Sequence, residues 1–195
     1  MQQGVDTNLN PPYNKGMNQT SMNKTLTTLL FSLVSMSSPA LAQSSHSAHV
    51  TLSKEIQKVG IDVYVNHKIC DSTTSFGMYV PNHSSVVICQ QNRVKGSRDT
   101  VEWTEEDYDT LRHEVHHVVQ DCVDKSMDGI LASVYKKPLK FGVAVLGSEM
   151  AMNVAQLYEE QGATPHIQVM EVEAFAVAAQ NNPTEQVRDI KRYCF

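Results

Sequence analysis

The segment TLRHEVHHVVQDC, residues 110–122, constrains the fold of this 195-residue chain more than any other feature. Thr104 and Asp107 just before it resemble a helix-capping pair, although Asp is a weaker partner than Glu or Gln, and acidic residues in the first turn complement the helix dipole. Apolar residues then recur at the spacing of one buried helix face: Leu111, Val115, Val118, Val119 and Cys122. We therefore predict one helix from Thr104 to about Val123.

Three of the eight histidines fall within five residues of this predicted helix. His113 and His117 are four residues apart, so both imidazoles project from one face and can bind one Zn²⁺. Glu114 lies about 100° around the helix from His113, where it can contact a zinc-bound water without binding the metal. Such a water has a pKa of about 7, and a carboxylate that accepts its proton lets it attack a carbonyl. The competing interpretation is a polar helix face rich in imidazole.

The residues HEVHH at 113–117 resemble the H-E-x-x-H motif of the zincin metallopeptidases. The metzincin branch does not fit, because Gln120 and Val123 stand where it has a glycine and a third histidine. The gluzincin branch takes its third ligand from a glutamate on a later helix, often with alanine three residues on. Glu171 and Ala174 in MEVEAFAVAAQ match that element, so the resemblance implies that His113, His117 and Glu171 are the zinc ligands and Glu114 the general base.

Glu173 is the alternative third ligand. Glu171 and Glu173 are about 200° apart on a helix, so one helix orientation cannot aim both at the same metal. Glu171 shares its side with Ala174 and Ala178, whose small side chains would let two helices approach closely. Phe175 departs from thermolysin-like members, which have an aspartate there to orient a histidine, so the histidine's partner must come from elsewhere.

The remaining histidine of the motif, His116, is interpreted as a partly exposed residue of the helix surface and not as a ligand. Electrophilic help for a tetrahedral intermediate usually comes from a tyrosine or histidine near the zinc. The candidates for this role are Tyr135, Tyr158, Tyr193 and His166.

Residues 22–42 have the pattern of a secretory signal peptide. A lysine and an apolar stretch precede a small-x-small ending at Ala42. That stretch is too short to span a bilayer stably. Residues 1–21 are polar and rich in Pro and Asn, and are expected to be an extension. We therefore expect a single domain over residues 43–195, secreted or periplasmic after cleavage near Ala42, with no stable membrane span.

All four cysteines lie in the expected mature part, and an even number in an oxidising compartment favours two disulfides. Cys70 and Cys89 flank a predicted hairpin region, which favours their pairing. Cys122 is then left to pair with Cys194. Each bond would contribute on the order of 3–5 kcal/mol by restricting the unfolded chain.

The fold class predicted from these patterns is α+β: a small zincin-like domain with an antiparallel, hairpin-based sheet followed by packed helices. Strands are expected over residues 61–65, 76–80 and 84–90, the last two as a hairpin. Helices are expected over residues 50–58, across most of 130–161 with interruptions at Pro138 and Gly147, over 165–180, and after a cap at Thr184.

The formal charge of −5 argues against nucleic acid as a partner, and the longest basic run, Lys136–Lys137, is interpreted as a solvated surface pair. The resemblance implies an exported zinc-dependent metalloendopeptidase, with Zn²⁺ as cofactor and a peptide or protein as substrate. The alternative is a catalytically silent, zinc-stabilised secreted structural or binding protein of the same fold. Glu114 favours the enzyme, because a silent relative often loses its general base. A metal-free disulfide-rich inhibitor or toxin is a third class, which the helix-centred motif opposes.

Overall fold

The computed structural model of the chain describes residues 39–180 and 182–195, with side chains from residue 46 onward. Residues 1–38, with most of the expected leader, lie outside the described residues. The described part contains a small sheet and packed helices, so the α+β class is confirmed. In chain order its elements are α1 (Pro39–Lys58), β1 (Asp62–Val65), β2 (Gly77–Val80), β3 (Ser85–Ile88), α2 (Glu105–Asp121), α3 (Pro138–Leu146), α4 (Ser148–Glu160), α5 (Pro165–Ala179) and α6 (Pro183–Tyr193).

The sheet has the strand order β1-β3-β2, so β3 is central and β2 is an edge strand. β2 and β3 form the predicted antiparallel hairpin, with Gly77 opposite Ile88. β1, however, runs parallel to β3, with Asp62 opposite Ser85, so the expectation of a wholly antiparallel sheet is wrong. Residues 66–76 carry the chain across the sheet before β2 begins, and β3 then folds back into the space between β1 and β2.

Helix α2 crosses the middle of the domain and contacts β2, β3, α1, α5 and α6. The Asp107 amide donates to the Thr104 hydroxyl, and the Thr104 amide donates to the Asp107 carboxylate, which completes the predicted capping box. The main core packs around this helix and contains Leu52, Ile56, Val86, Ile88, Leu111, Val115, Val118, Val119 and Ile190. α2 is therefore held on several sides, which fixes the direction of the histidines it carries.

Two disulfides are present, Cys70–Cys89 and Cys122–Cys194, as predicted. The first ties a 3₁₀ turn (Lys68–Asp71) to the end of β3, and the second ties the end of α2 to the end of α6. Together they indicate an extracellular or otherwise oxidising environment. Among the helices of the described part, none is both long enough and apolar enough to cross a membrane.

Three helix boundaries differ from those expected. α1 extends N-terminally well beyond residues 50–58, and His49, just before the expected start, is buried on the same helix face as Leu52 and Ile56. Pro138 begins α3 and does not interrupt a longer helix, since proline is favoured in the first turn. Asn182, and not Thr184, caps α6: its side-chain oxygen accepts from the amide of Glu185 at 3.2 Å.

Candidate metal centre

Three side chains converge between α2 and α5. Nε2 of His113 lies 3.1 Å from Nε2 of His117, and one oxygen of Glu171 lies 3.1 Å and 3.4 Å from these two nitrogens. All three residues are buried, and their donor atoms form a group able to hold a metal ion. Tetrahedral zinc with ligands at about 2.05 Å would separate those ligands by about 3.3 Å. The spacing and the two-nitrogen, one-oxygen donor set therefore fit zinc.

Glu173, the alternative ligand, lies on the other side of α5 and is fully buried. Its carboxylate accepts hydrogen bonds from the side chains of His116, Gln120 and Ser133 and from the backbone amides of Val134 and Tyr135. Burial opposes the charge of Glu173, but these donors hold its pKa below the ordinary value. The structure thus brings Glu171 to the two motif histidines and places Glu173 in a separate hydrogen-bonded cluster.

His116 is completely buried, so the interpretation of a partly exposed surface histidine is wrong. Its Nε2 lies 2.9 Å from Glu173 of α5, and Ser133 and Val134, in the segment that follows α2, donate to the same carboxylate. Burial lowers the pKa of His116. A neutral His116 donates from Nε2 to Glu173 and takes no part in the metal cluster.

Gln120 contacts the ring nitrogen of His117 that does not face the metal cluster. Its side-chain nitrogen donates to the carbonyl of Met170 at 3.0 Å and to Glu173 at 3.1 Å, which fixes the orientation of the amide. Its oxygen therefore faces Nδ1 of His117, at 2.8 Å, and accepts a hydrogen bond from the N–H at that position. This leaves the Nε2 lone pair of His117 directed toward His113 and Glu171. Sequence reasoning missed this role, although Gln120 stands three residues after His117 on the same helix face.

His113 is oriented by packing. Its Nδ1 is buried and has no hydrogen-bond partner among the described residues. The ring of Phe175 meets the imidazole edge-on, with centroids 4.5 Å apart. Phe175 stands where the thermolysin-like pattern has an orienting aspartate, so His113 has an aromatic contact there in place of the hydrogen bond of that pattern.

Glu114 lies beside the cluster and is 7 % exposed. It accepts a hydrogen bond from the backbone of Tyr79 on the edge strand β2. Burial raises the pKa of Glu114, with a contribution from Glu171, while His113 and His117 oppose the rise. A Cβ added to Gly77 would lie 2.5 Å from Thr110 and 3.0 Å from Glu114, so glycine is needed for this close approach of β2 to α2.

The carboxylate of Glu171 and the imidazole of His117 are electrostatically coupled. Burial opposes the charge on both groups, yet their interaction raises the pKa of His117 to about 9 and lowers the pKa of Glu171. Without a metal, the two therefore form a buried ion pair at neutral pH. A metal cation would replace the proton on His117.

Among the candidate electrophiles, Tyr158 on α4 lies against the cluster. Burial raises the pKa of its hydroxyl well above the ordinary value, as do the charges of Glu171 and Glu114 and a hydrogen bond to Glu171. The other candidates lie elsewhere. Tyr135 stacks on Phe141, His166 contacts the carbonyl of Leu131, and Tyr193 ends α6.

These features define a disulfide-bonded α+β domain with a buried cluster of two histidines and a glutamate. The chain belongs to the family described as Domain of unknown function (DUF8637), whose model matches residues 41–195. Neither a curated protein nor a solved structure matches the chain.

Proposed function

We propose that the protein is an exported zinc-dependent metalloendopeptidase of gluzincin type. His113, His117 and Glu171 would hold the zinc, and Glu114 would act as general base. The observation that carries this proposal is the convergence of three donor atoms, 3.1–3.4 Å apart, beside a fourth group, the carboxylate of Glu114. The spacing suits tetrahedral zinc, and the fourth group is the one that proton transfer requires.

When bound, zinc supplies a Lewis acid that lowers the pKa of a coordinated water to about 7 and polarises a carbonyl. The carboxylate of Glu114 accepts the proton of the attacking water and passes it to the leaving amine. A pKa raised by burial suits Glu114 to both transfers, because a general base works best when its pKa lies near the operating pH.

Two features near the cluster, Tyr158 and the edge strand β2, would contact the substrate. Tyr158 lies against Glu171 and Glu114, and its hydroxyl can donate to the oxyanion that forms on the attacked carbonyl. β2 is an edge strand next to Glu114, and an extended peptide can pair with such an edge. The expected substrate is therefore an extended segment of a peptide or unfolded protein.

The second candidate is a catalytically silent secreted protein that zinc stabilises. It is favoured by the small exposure of the cluster: His113, His117 and Glu171 are only 8 %, 5 % and 8 % exposed. Structural zinc sites are closed, whereas catalytic sites keep a position open for water. Glu114 opposes this candidate, because a silent site has no use for a buried carboxylate beside the metal.

The deciding experiment measures the zinc content of the purified protein and its cleavage of casein with and without a chelator. We expect one zinc per chain and cleavage that the chelator abolishes and added zinc restores. One zinc per chain that raises the unfolding temperature, without any cleavage of casein or shorter unstructured peptides, would establish the silent candidate. A protein that binds no zinc would contradict both.

A further inference from the structure

Helix α3 and the residues before it form a region of unusual charge. No aspartate or glutamate occurs in residues 129–148, although the chain as a whole carries a formal charge of −5. Lys136, Lys137 and Lys140 lie in this region and are exposed. None of the three is within ion-pairing distance of a carboxylate in the described part of the chain. The region therefore carries three positive charges without ion-pair partners among the described residues, and the acidic groups that act on it, Asp189, Glu173 and Glu185, do so at Tyr135.

The three lysines surround a shallow groove of about 490 Å³. One wall is formed by Tyr135 and Phe141, whose rings stack with centroids 3.8 Å apart and an interplanar angle of 8°. The groove is lined by Tyr135, Lys136, Lys137, Lys140, Phe141 and Ala144. It offers positive charge above an aromatic and aliphatic surface, which suits an anionic group that is attached to apolar material.

An apolar ridge runs beside this groove. Leu139 and Val143 are one turn apart on α3 and are 51 % and 45 % exposed. Gly142, about 60° around the helix from Leu139 and about 100° from Val143, packs so closely on Val172 of α5 that an added Cβ would collide with it. α3 is thus fixed to α5 at Gly142, while Leu139 and Val143 remain exposed next to Lys140.

We propose that this face of α3 binds the surface of an anionic phospholipid membrane. The lipid phosphates would lie in the groove against the lysines, and Leu139 and Val143 would enter the boundary between headgroups and acyl chains. A soluble polyanion would leave the apolar ridge in water, and a purely apolar partner would leave three lysines without counter-charges. The observed combination of groove and ridge fits a lipid surface better than either. This inference does not depend on the metal centre.

Vesicle co-sedimentation of the exported, disulfide-bonded protein tests the proposal. Vesicles containing phosphatidylglycerol are compared with vesicles of phosphatidylcholine alone. The variant K136E/K137E/K140E is matched by K54E/K68E/K95E, which changes the net charge equally at exposed lysines elsewhere that form no ion pair among the described residues. Because each lysine near an anionic surface strengthens binding by roughly fivefold, we expect the groove variant to bind at least about 100-fold more weakly. The matched variant should lose much less.

Equal losses in the two triple variants, or no binding of the unaltered protein to anionic vesicles, would overturn the proposal. The ridge is tested by L139S/V143S, matched by V94S at an apolar residue that is 77 % exposed. We expect L139S/V143S alone to weaken vesicle binding. If the unaltered protein bound soluble polyphosphate as tightly as vesicles, and L139S/V143S changed neither, the groove would be a polyanion site and the membrane proposal would be wrong.

Discussion

The side-chain oxygen of Gln120 lies 2.8 Å from Nδ1 of His117, while the nitrogen of the same amide is held by the carbonyl of Met170 and by Glu173. Two acceptors on one NH₂ group leave the amide a single orientation, and this orientation fixes the tautomer of His117. Glu173 lies outside the metal cluster, but it accepts a hydrogen bond from Gln120, which in turn contacts His117. The two glutamates of α5 have different tasks: one contacts the histidines directly and the other holds the group behind them.

Replacing Gln120 by leucine should weaken zinc binding by roughly 10- to 100-fold, because His117 would lose the acceptor that fixes its tautomer and ring orientation. Competition with a chromogenic chelator measures the affinity. Gln186→Leu is the matched control. Gln186 is also a buried glutamine with one strong hydrogen bond, to the carbonyl of Arg112 at 2.6 Å, and it lies outside the cluster. Both variants should lower the unfolding temperature, but only Gln120→Leu should change zinc affinity. Unchanged affinity in that variant would contradict the positioning role.

Glu114→Gln should keep zinc bound and reduce peptidase activity by orders of magnitude, because an amide cannot accept the proton of the attacking water. Its oxygen can still accept the hydrogen bond from the backbone of Tyr79, and the loss of a buried charge should not destabilise the fold. Zinc content and casein cleavage are measured on the same sample. Glu106→Gln, on the same helix but outside the cluster, is the control and should retain full activity. Full activity in Glu114→Gln would refute the mechanism.

The third ligand is tested with the isosteric pair Glu171→Gln and Glu173→Gln. After dialysis, zinc should be lost from the first variant, which lacks the anionic oxygen near His113 and His117. The second should retain its zinc and lose stability instead, because an amide NH₂ would face several donors that Glu173 now accepts from. Loss of zinc only from Glu173→Gln would show that Glu173 is the third ligand. Loss in neither would exclude the gluzincin arrangement.

Local sequence patterns were sufficient to predict those features that depend on the geometry of a single helix. The capping box at Thr104 follows from residues three apart, and the separation of Glu171 from Glu173 follows from the helical angle between them. The burial of His116 could not be predicted in this way, because it depends on Glu173 of α5 and on the segment after α2, whose Ala132 amide donates to the carbonyl of Gln120. Whether a histidine on an α-helix is exposed is decided by segments far away in sequence.

The prediction of the orientation of β1 was wrong for a related reason. A hairpin is specified by its own turn, so β2 and β3 were predictable as neighbours. The position of β1 beside β3, and its parallel direction, depend on how residues 66–76 cross the sheet. No residue pattern within β1 distinguishes a parallel from an antiparallel partner in a strand of four residues.

The stability of the metal-free protein should depend on pH through His117 and Glu171. The pKa of His117 is raised from 6.5 to about 9 in the folded protein. Its contribution to the free energy of unfolding is therefore complete below pH 6.5 and is lost as the pH rises through 9. The pKa of Glu171 is lowered, so its contribution to the free energy of unfolding is present above pH 4.5 and is lost as the pH falls below that value. The pair should therefore stabilise the protein most between pH 4.5 and 6.5, by up to about 3 kcal/mol.

Urea unfolding of the chelated protein and of its Glu171→Gln variant, compared across pH, isolates this contribution. The difference in unfolding free energy between the two should be largest near pH 5.5 and should fall as the pH rises toward 9 and above, because His117 then loses its proton in the unaltered protein. Zinc binding should follow the opposite trend and strengthen with pH, since the metal must displace that proton. A difference that stays constant from pH 6 to 10 would show that His117 and Glu171 do not form an ion pair in the metal-free protein.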